Sequence, residues 1–190
     1  MKRVITYLIM VIITVFFTFL LLLAPIITYL FPSQGEQVHG LFKYLCHQYP
    51  YRSFCFVPRY PFVIDCIKQN ETGLAIEENK TYLLMYDKSR VGLDRPSIVV
   101  VNDEKRYVFP VCSRDVGFYI GSIIGLMLFI KSKWKMKLYQ YILLIVPFAF
   151  DGLIQLITPY ESVNLIRFIT GSIAGVATAY YFLEIITKET

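Results

Sequence analysis

The chain has 190 residues, 56% of them hydrophobic and 17% charged, with 15 Phe, 15 Tyr and one Trp. Ordinary soluble domains are about 45–50% apolar and about 25% charged, so the composition argues against a water-soluble fold, and its aliphatic and aromatic surplus excludes disorder, collagen and coiled coil. The net charge of +5, from 19 Lys+Arg against 14 Asp+Glu, would suit nucleic acid only if it were gathered on one folded face.

No charged residue lies between Arg3 and Glu36, and ~20 apolar residues cross ~30 Å of hydrocarbon. The spacing predicts a first transmembrane helix over Val4 to Tyr29, within a segment 1–31. A signal peptide is the competing reading, but the run exceeds a signal core of about 7–15 residues and no small-x-small cleavage site follows it. Residues 32–110 form a long segment with ten Lys+Arg and nine Asp+Glu between Glu36 and Phe109. Three further spans follow at 111–130, 138–158 and 163–186, with a basic loop at 131–137. Pro25 and Pro147 fall inside spans, where neighbouring helices can satisfy a freed carbonyl.

Lys131, Lys133, Lys135 and Lys137 crowd the loop between spans two and three, and Lys2, Arg3 and Lys188 sit at the ends. The positive-inside rule places that loop and both termini in the cytoplasm of a multi-pass cell-membrane protein, with residues 32–110 extracytoplasmic. The positive excess is thus a topology signal and implies no nucleic-acid partner. The expected fold class is an all-α membrane protein of four transmembrane helices, with a small extracytoplasmic α/β insertion between helices 1 and 2. Phe118-Tyr-Ile-Gly-Ser-Ile-Ile-Gly125 matches Phe168-Ile-Thr-Gly-Ser-Ile-Ala-Gly175, and Leu22-Leu-Ala-Pro25 echoes Leu144-Ile-Val-Pro147. Two related hairpins are one account; recurrent Gly-x-x-x-Gly packing, within the chain or in a homo-oligomer, is the other.

In the outer segment, Val38, Leu41, Phe42 and Leu45 form one apolar stripe of a short helix over Gln34 to His47, expected to lie along the interface. Thr81–Tyr86 and Ser97–Val101 read as strands, with Asn102–Lys105 as a turn into Arg106–Phe109. Two or three strands are marginal alone, so the insertion should pack on helix ends or be stapled. It is also the surface through which a scaffold would bind an envelope protein. Cys46, Cys55, Cys66 and Cys112 all fall on this side, where disulfides can form. Three pairings are open; Cys55 with Cys66 closes a short loop and leaves Cys46 and Cys112 near the membrane together. No Cys-x-x-Cys occurs, which counts against a dithiol redox centre.

Polar side chains within lipid are expensive and mark function or packing. Asp151 and Gln155 share a face of span three, and Asn164, Arg167 and Gly171 a face of span four. At ~1.5 Å per residue Asp151 lies about 10 Å below the outer end of span three and Arg167 roughly 6 Å below that of span four, so the two can meet, and an Asp151–Arg167 pair is expected as a ligand site or as a helix-registering ion pair. Arg114 and Asp115 enter span two from the same side, Arg114 as a ligand donor or as a snorkelling interfacial residue.

Cys46-His47-Gln48-x-Pro50-x-Arg52-Ser53-Phe54, Pro110-Val111-Cys112-x-Arg114-x-x-Gly117-x-Tyr119-x-Gly121, Asp151-Gly152-x-x-Gln155 and Glu161-Ser162-x-Asn164-x-x-Arg167-x-x-Thr170-Gly171 resemble the motif series of a family of small multi-pass membrane proteins of unknown function, from about Gly40 to Gly175. Many members carry Cys where this chain has Asp115. The resemblance therefore implies a Cys46, His47, Cys112 and Asp115 set that could hold zinc through mixed ligands, or a Cys46–Cys112 disulfide instead. The stretch from Asp151 to Gly175 is also similar to the last hairpin of VanZ-like membrane proteins, which points toward envelope lipids.

These readings converge on an outward-facing polar pocket of Cys46, His47, Arg52, Cys112, Arg114, Asp115, Asp151, Gln155, Asn164 and Arg167. The leading expectation is binding or transport of a polar or anionic lipid headgroup, or a small anion, with arginines as fixed donors. The alternatives are an enzyme using His47, Cys46, Cys112 or Asp151 in catalysis on an envelope lipid, and a structural scaffold.

Overall fold

The computed structural model describes residues 2–42, 50–67, 71–77, 80–85, 96–131, 135–158, 160 and 162–188. Four of its helices are long and apolar enough to cross a membrane, over Tyr7–Leu30, Ser113–Lys131, Leu138–Gln155 and Asn164–Ile186. The chain divides into two compact units, one comprising Met1–Phe19 and Ser113–Thr190, the other Leu20–Cys112. Helix α1 (Lys2–Leu30) contributes to both and runs unbroken through Pro25.

The first unit is organised around α3 (Ser113–Lys131), α4 (Leu138–Ile157) and α5 (Asn164–Lys188). Helices α3 and α5 run parallel and meet through small residues. A Cβ at Gly117 would fall on the carbonyl oxygen of Phe168, one at Gly121 on that of Ser172, one at Gly171 on that of Arg114, and one at Gly175 on that of Phe118. Glycine is required at these four positions because backbone lies against backbone, the geometry that Gly-x-x-x-Gly permits. These faces are occupied by one another within a single chain. The reciprocal contacts relate Gly117 to Gly171 and Gly121 to Gly175. That is one helical turn away from the sequence repeat, which aligns Gly121 with Gly171. The packing therefore follows the spacing of small residues, not the register of the repeated octapeptide.

Helix α4 runs antiparallel to both. Its start stacks Tyr141 on Tyr181 of α5, with ring centroids 4.6 Å apart, and its later part sets Phe148 beside Phe118 of α3 at 6.4 Å. At the basic-loop end, the Met136 N–H donates to the buried Glu184 carboxylate at 2.5 Å. One residue later the Lys137 N–H donates to Gln140 Oε1 at 2.9 Å and caps α4.

The second unit carries α2 (Pro32–Leu41), a 3₁₀ turn (Pro50–Arg52) and six strands: β1 (Phe54–Phe56), β2 (Val63–Asp65), β3 (Thr72–Glu77), β4 (Lys80–Met85), β5 (Ile98–Val101) and β6 (Glu104–Val108). They form one antiparallel sheet in the order β2-β1-β6-β5-β3-β4. The sheet thus lies between α2 and α3 and has six strands where sequence signals gave two or three. The unforeseen β1 and β2 are three residues each, too short for alternation to show, and β3 contains Gly73 and Ala75, poor strand formers.

The buried stripe of α2 also differs from expectation: Gly35, His39 and Phe42 face inward while Leu41 is 63% exposed. The cause is close approach to α1, since a Cβ at Gly35 would overlap Thr28. Leu45, the last member of the expected stripe, lies outside the described residues. The β5–β6 turn is the two-residue kind, with Asn102 and Asp103 at φ 50° and 64°; positive φ at both central residues gives the twist a hairpin needs, and Asn and Asp tolerate it. The core of the sheet gathers Ile67, Val99, Val101 and Val108 around the Cys55–Cys66 disulfide. Arg106 is buried beside it, donating to the Cys66 carbonyl at 2.7 Å and pairing with Glu71 at 3.0 Å. Tyr29, in the last turn of α1, packs edge-on against Tyr107 and Phe56, with centroids 5.2 and 6.1 Å away.

Candidate functional site

The N-terminal ends of α3 and α5 and the C-terminal end of α4 meet in one polar cluster within the first unit. Ser113 and Asn164 each open a helix, and the Ser113 hydroxyl donates to Asn164 Oδ1 at 2.9 Å. Arg167, one turn into α5 and 2% exposed, spreads its guanidinium over neutral acceptors. Nε donates to the Ser162 hydroxyl at 3.1 Å, one terminal nitrogen to Gln155 Oε1 at 2.9 Å, and the other to Asn164 Oδ1 at 3.5 Å. Gln155 donates in turn to Ser162 at 2.7 Å. A buried arginine is costly unless its donors are satisfied. Here three of them clasp the end of α4, the connecting turn and the start of α5.

Asp151 lies one turn deeper on α4, and its carboxylate pairs with Arg114 of α3. This corrects the expected Asp151–Arg167 pair. Depth along the axes allowed either arginine. Rotation decides: Arg114 enters at the α3–α4 seam, where its guanidinium lies 5.5 Å from the Phe148 ring centroid and against Gly152, whose missing side chain leaves room for it. The side chains of Arg114 and Asp151 are only 18% and 9% exposed, so Arg114 is an internal partner and not a snorkelling residue.

Beside this pair an open groove of about 730 Å³ runs between α4 and α5. Pro147, Phe150, Ile154 and Ile166 supply apolar walls, and Asp151, Thr158, Tyr160 and Thr170 supply polar positions. Thr170 is turned back on its helix, donating to the Ile166 and Arg167 carbonyls at 3.0 and 3.1 Å. Asp151 is therefore the charged group of the groove lining, with Arg114 behind it.

Asp115 follows Arg114 in the first turn of α3, where the helix dipole favours a carboxylate. Arg52 and Cys112 belong to the second unit, both half-buried; the Arg52 guanidinium stands 5.4 Å from the Tyr51 ring centroid. Cys46 and His47 lie outside the described residues, and with them the expected Cys46–Cys112 bridge and half of the zinc set. Among the described residues no group of three or more His, Cys, Asp or Glu side chains could hold a metal ion.

Ser113 and Ser162 complete the cluster and were missed as members; the sequence signals are the place of Ser113 beside Arg114 and of Ser162 within the Glu161-Ser162-x-Asn164 motif. The buried His39 was also missed. Among the described residues neither of its ring nitrogens has a hydrogen-bond partner; burial lowers its pKa to about 4, the Val108 backbone opposing with the smaller effect.

Comparison with known proteins places this cluster in a family context. The family described as predicted membrane protein (DUF2085) matches residues 104–181. That stretch contains Cys112, Arg114, Asp115, Asp151, Gln155, Asn164 and Arg167, and leaves out Cys46, His47 and Arg52. An uncharacterised protein of Methanocaldococcus jannaschii is 41% identical over 80 residues, covering 40% of this chain and 51% of that protein. An uncharacterised protein of Methanothermobacter thermautotrophicus is 36% identical over 77 residues, covering 38% of this chain and 68% of that protein. The chain thus spans about half the length of the first relative and just over two thirds of the second. No solved structure matches the chain.

Proposed function

The chain belongs to the predicted membrane protein family DUF2085, and from that premise we propose that it binds a membrane phospholipid at the α4–α5 groove, the chain along Ile154 and Ile166 and the headgroup at the Asp151–Arg114 pair. The observation that carries this reading is the groove itself: about 730 Å³, open, largely apolar, and lined by one end of an ion pair. Ligand sites combine a mainly apolar lining with few placed polar groups, and a groove on a transmembrane hairpin is reached from the acyl region. Asp151 lies six residues before the end of α4, or roughly 9 Å along the axis, a depth suited to a headgroup drawn below the interface.

The pair selects the headgroup chemistry. A phosphate accepts from the Arg114 guanidinium, which presents planar paired donors, while an amine or hydroxyl on the same headgroup donates to Asp151. A ligand with both groups replaces the internal pair without leaving either charge uncompensated, whereas a lone anion would repel Asp151. This narrows the expected anionic headgroup to one carrying a donor as well. Arg167, enclosed by protein, holds the helix ends that shape the groove. The basic loop at 131–137 puts the site in the outer leaflet under the positive-inside rule.

The test is native mass spectrometry of the full chain after delipidation and incubation with phosphatidylethanolamine. The unaltered protein should retain one lipid, Ile166→Trp should lose it by filling the groove, and Asp151→Asn should lose the preference for an amine headgroup. Equal retention by the unaltered chain and both variants, with unchanged melting temperatures, would sink the proposal.

A further inference from the structure

We infer that the β1–β2 hairpin tip, residues 57–63, is a bilayer-interface anchor that seats the sheet on the lipid surface beside the end of α1. Three observations within the second unit carry this. Beyond the buried Val57 and apart from Arg59, the tip is apolar and exposed: Tyr60 is 87% exposed, Phe62 57% and Val63 50%. Its position is tied to a membrane-length helix, because Phe56, the last residue of β1, touches Tyr29 in the final turn of the span Tyr7–Leu30.

The tip is also held in place. Val63 pairs with Phe56 across the hairpin, and the Val57 N–H donates to the Phe62 carbonyl at 3.0 Å. With strands about 4.8 Å apart, Phe62 and Val63 sit at the height of the Tyr29 contact. Tyr60 is four residues from Phe56 and so can lie no more than about 14 Å from it. The Cys55–Cys66 disulfide closes the base of the hairpin, so the tip meets its partner already ordered.

The chemistry fits the headgroup region better than a protein. Tyr and Phe beside Arg are the residues that gather at membrane–water boundaries, amphipathic rings at headgroup level with a cation facing phosphate. Arg59 is 72% exposed and paired with Glu104 at 2.5 Å, so its cation arrives already partnered and the exposed rings carry the contact. The end of α1 is apolar and open too, with Leu30 and Phe31 each 57% exposed, so the surface that receives α1 continues toward the hairpin. This surface is distinct from the groove, and its failure would leave the lipid-binding proposal standing.

The experiment uses the full chain in vesicles of phosphatidylcholine and phosphatidylglycerol. The single Trp134 is first replaced by Phe, then Tyr60→Trp and Phe62→Trp are made separately, both at exposed positions that should not disturb folding. The expected result is blue-shifted emission and loss of fluorescence when the lipids are brominated high on the acyl chain. Water-like, unquenched emission from both variants would overturn the inference. So would emission that is water-like in vesicles and shielded only in native membranes, since that would assign the tip to a partner protein.

Discussion

Removing one member of the Arg114–Asp151 pair should cost far more than removing both. Arg114→Met leaves the Asp151 carboxylate, 9% exposed, without its cation. Breaking a buried pair this way costs about 3–5 kcal/mol, and the residual exposure of the Arg114 site favours the lower end. For a chain of this size each kcal/mol shifts melting by roughly 2–4 °C, so the variant should melt on the order of 10 °C lower. Asp151→Leu should cost less, about 2 kcal/mol, because the stranded guanidinium keeps the Phe148 face, and a desolvated cation–π contact contributes about that order. In the double variant Arg114→Met/Asp151→Leu no buried charge remains, and the cost should fall to within about 1 kcal/mol of the unaltered chain. The assay is a double-mutant cycle by thermal unfolding in detergent, with an expected coupling of roughly 4 kcal/mol. Additive single effects would refute the reasoning, because they would mean water reaches the pair and screens it. The double variant, stable but without its ion pair, should also have lost lipid retention, which separates the role in binding from the role in stability.

The glycine contacts predict a steep contrast between two positions. Gly121→Val, set against the Ser172 carbonyl, should destabilise by about 3 kcal/mol or more through overpacking. Gly40→Ala, with nothing near its Cβ, should be neutral or stabilise α2 by up to about 1 kcal/mol; comparable melting temperatures would contradict the α3–α5 packing. His39 should make the second unit acid-sensitive. With a folded pKa of about 4 and an unfolded one near 6.5, the unfolded state alone takes up the proton between those values. Stability is then full above pH 6.5 and falls as pH drops toward 4, by about 3 kcal/mol in total. His39→Met should flatten that part of the pH profile, and an unchanged slope would show that other groups carry it. Replacing Cys55 and Cys66 together by Ser should lower stability by about 3 kcal/mol, the order expected for so short a closed loop, read as earlier urea unfolding of the sheet.

Periodicity and hydropathy carry the four long helices because the bilayer imposes one requirement on all of them, an apolar surface about 20 residues long. The same requirement made the polar residues stand out: Arg114, Asp151, Gln155, Asn164 and Arg167 were singled out because they are costly in lipid. The partners within that set were another matter. Asp151 and Arg167 lie within about one turn of each other in depth, but the side chain that reaches Asp151 is set by helix rotation, which the close backbone contacts of Gly117, Gly121, Gly171 and Gly175 fix. The repeated octapeptide aligns Gly121 with Gly171, whereas the packing sets Gly121 against Gly175, a full turn away, because contact depends on which small residues face each other.

The sheet makes the opposite case. Its β5–β6 hairpin was legible from a β-branched run and an Asn-Asp turn. Its other edge was not, because β1 and β2 are three residues long and take their identity from partners and a disulfide. By itself, the sequence determined that this chain is a membrane protein and which of its residues are polar at a cost. Tertiary structure alone decided which of them touch, that Arg167 is enclosed while Asp151 lines a groove, and that His39 is buried. Composition and spacing constrain each helix separately, whereas a pair, a groove or a buried imidazole is a property of two surfaces meeting.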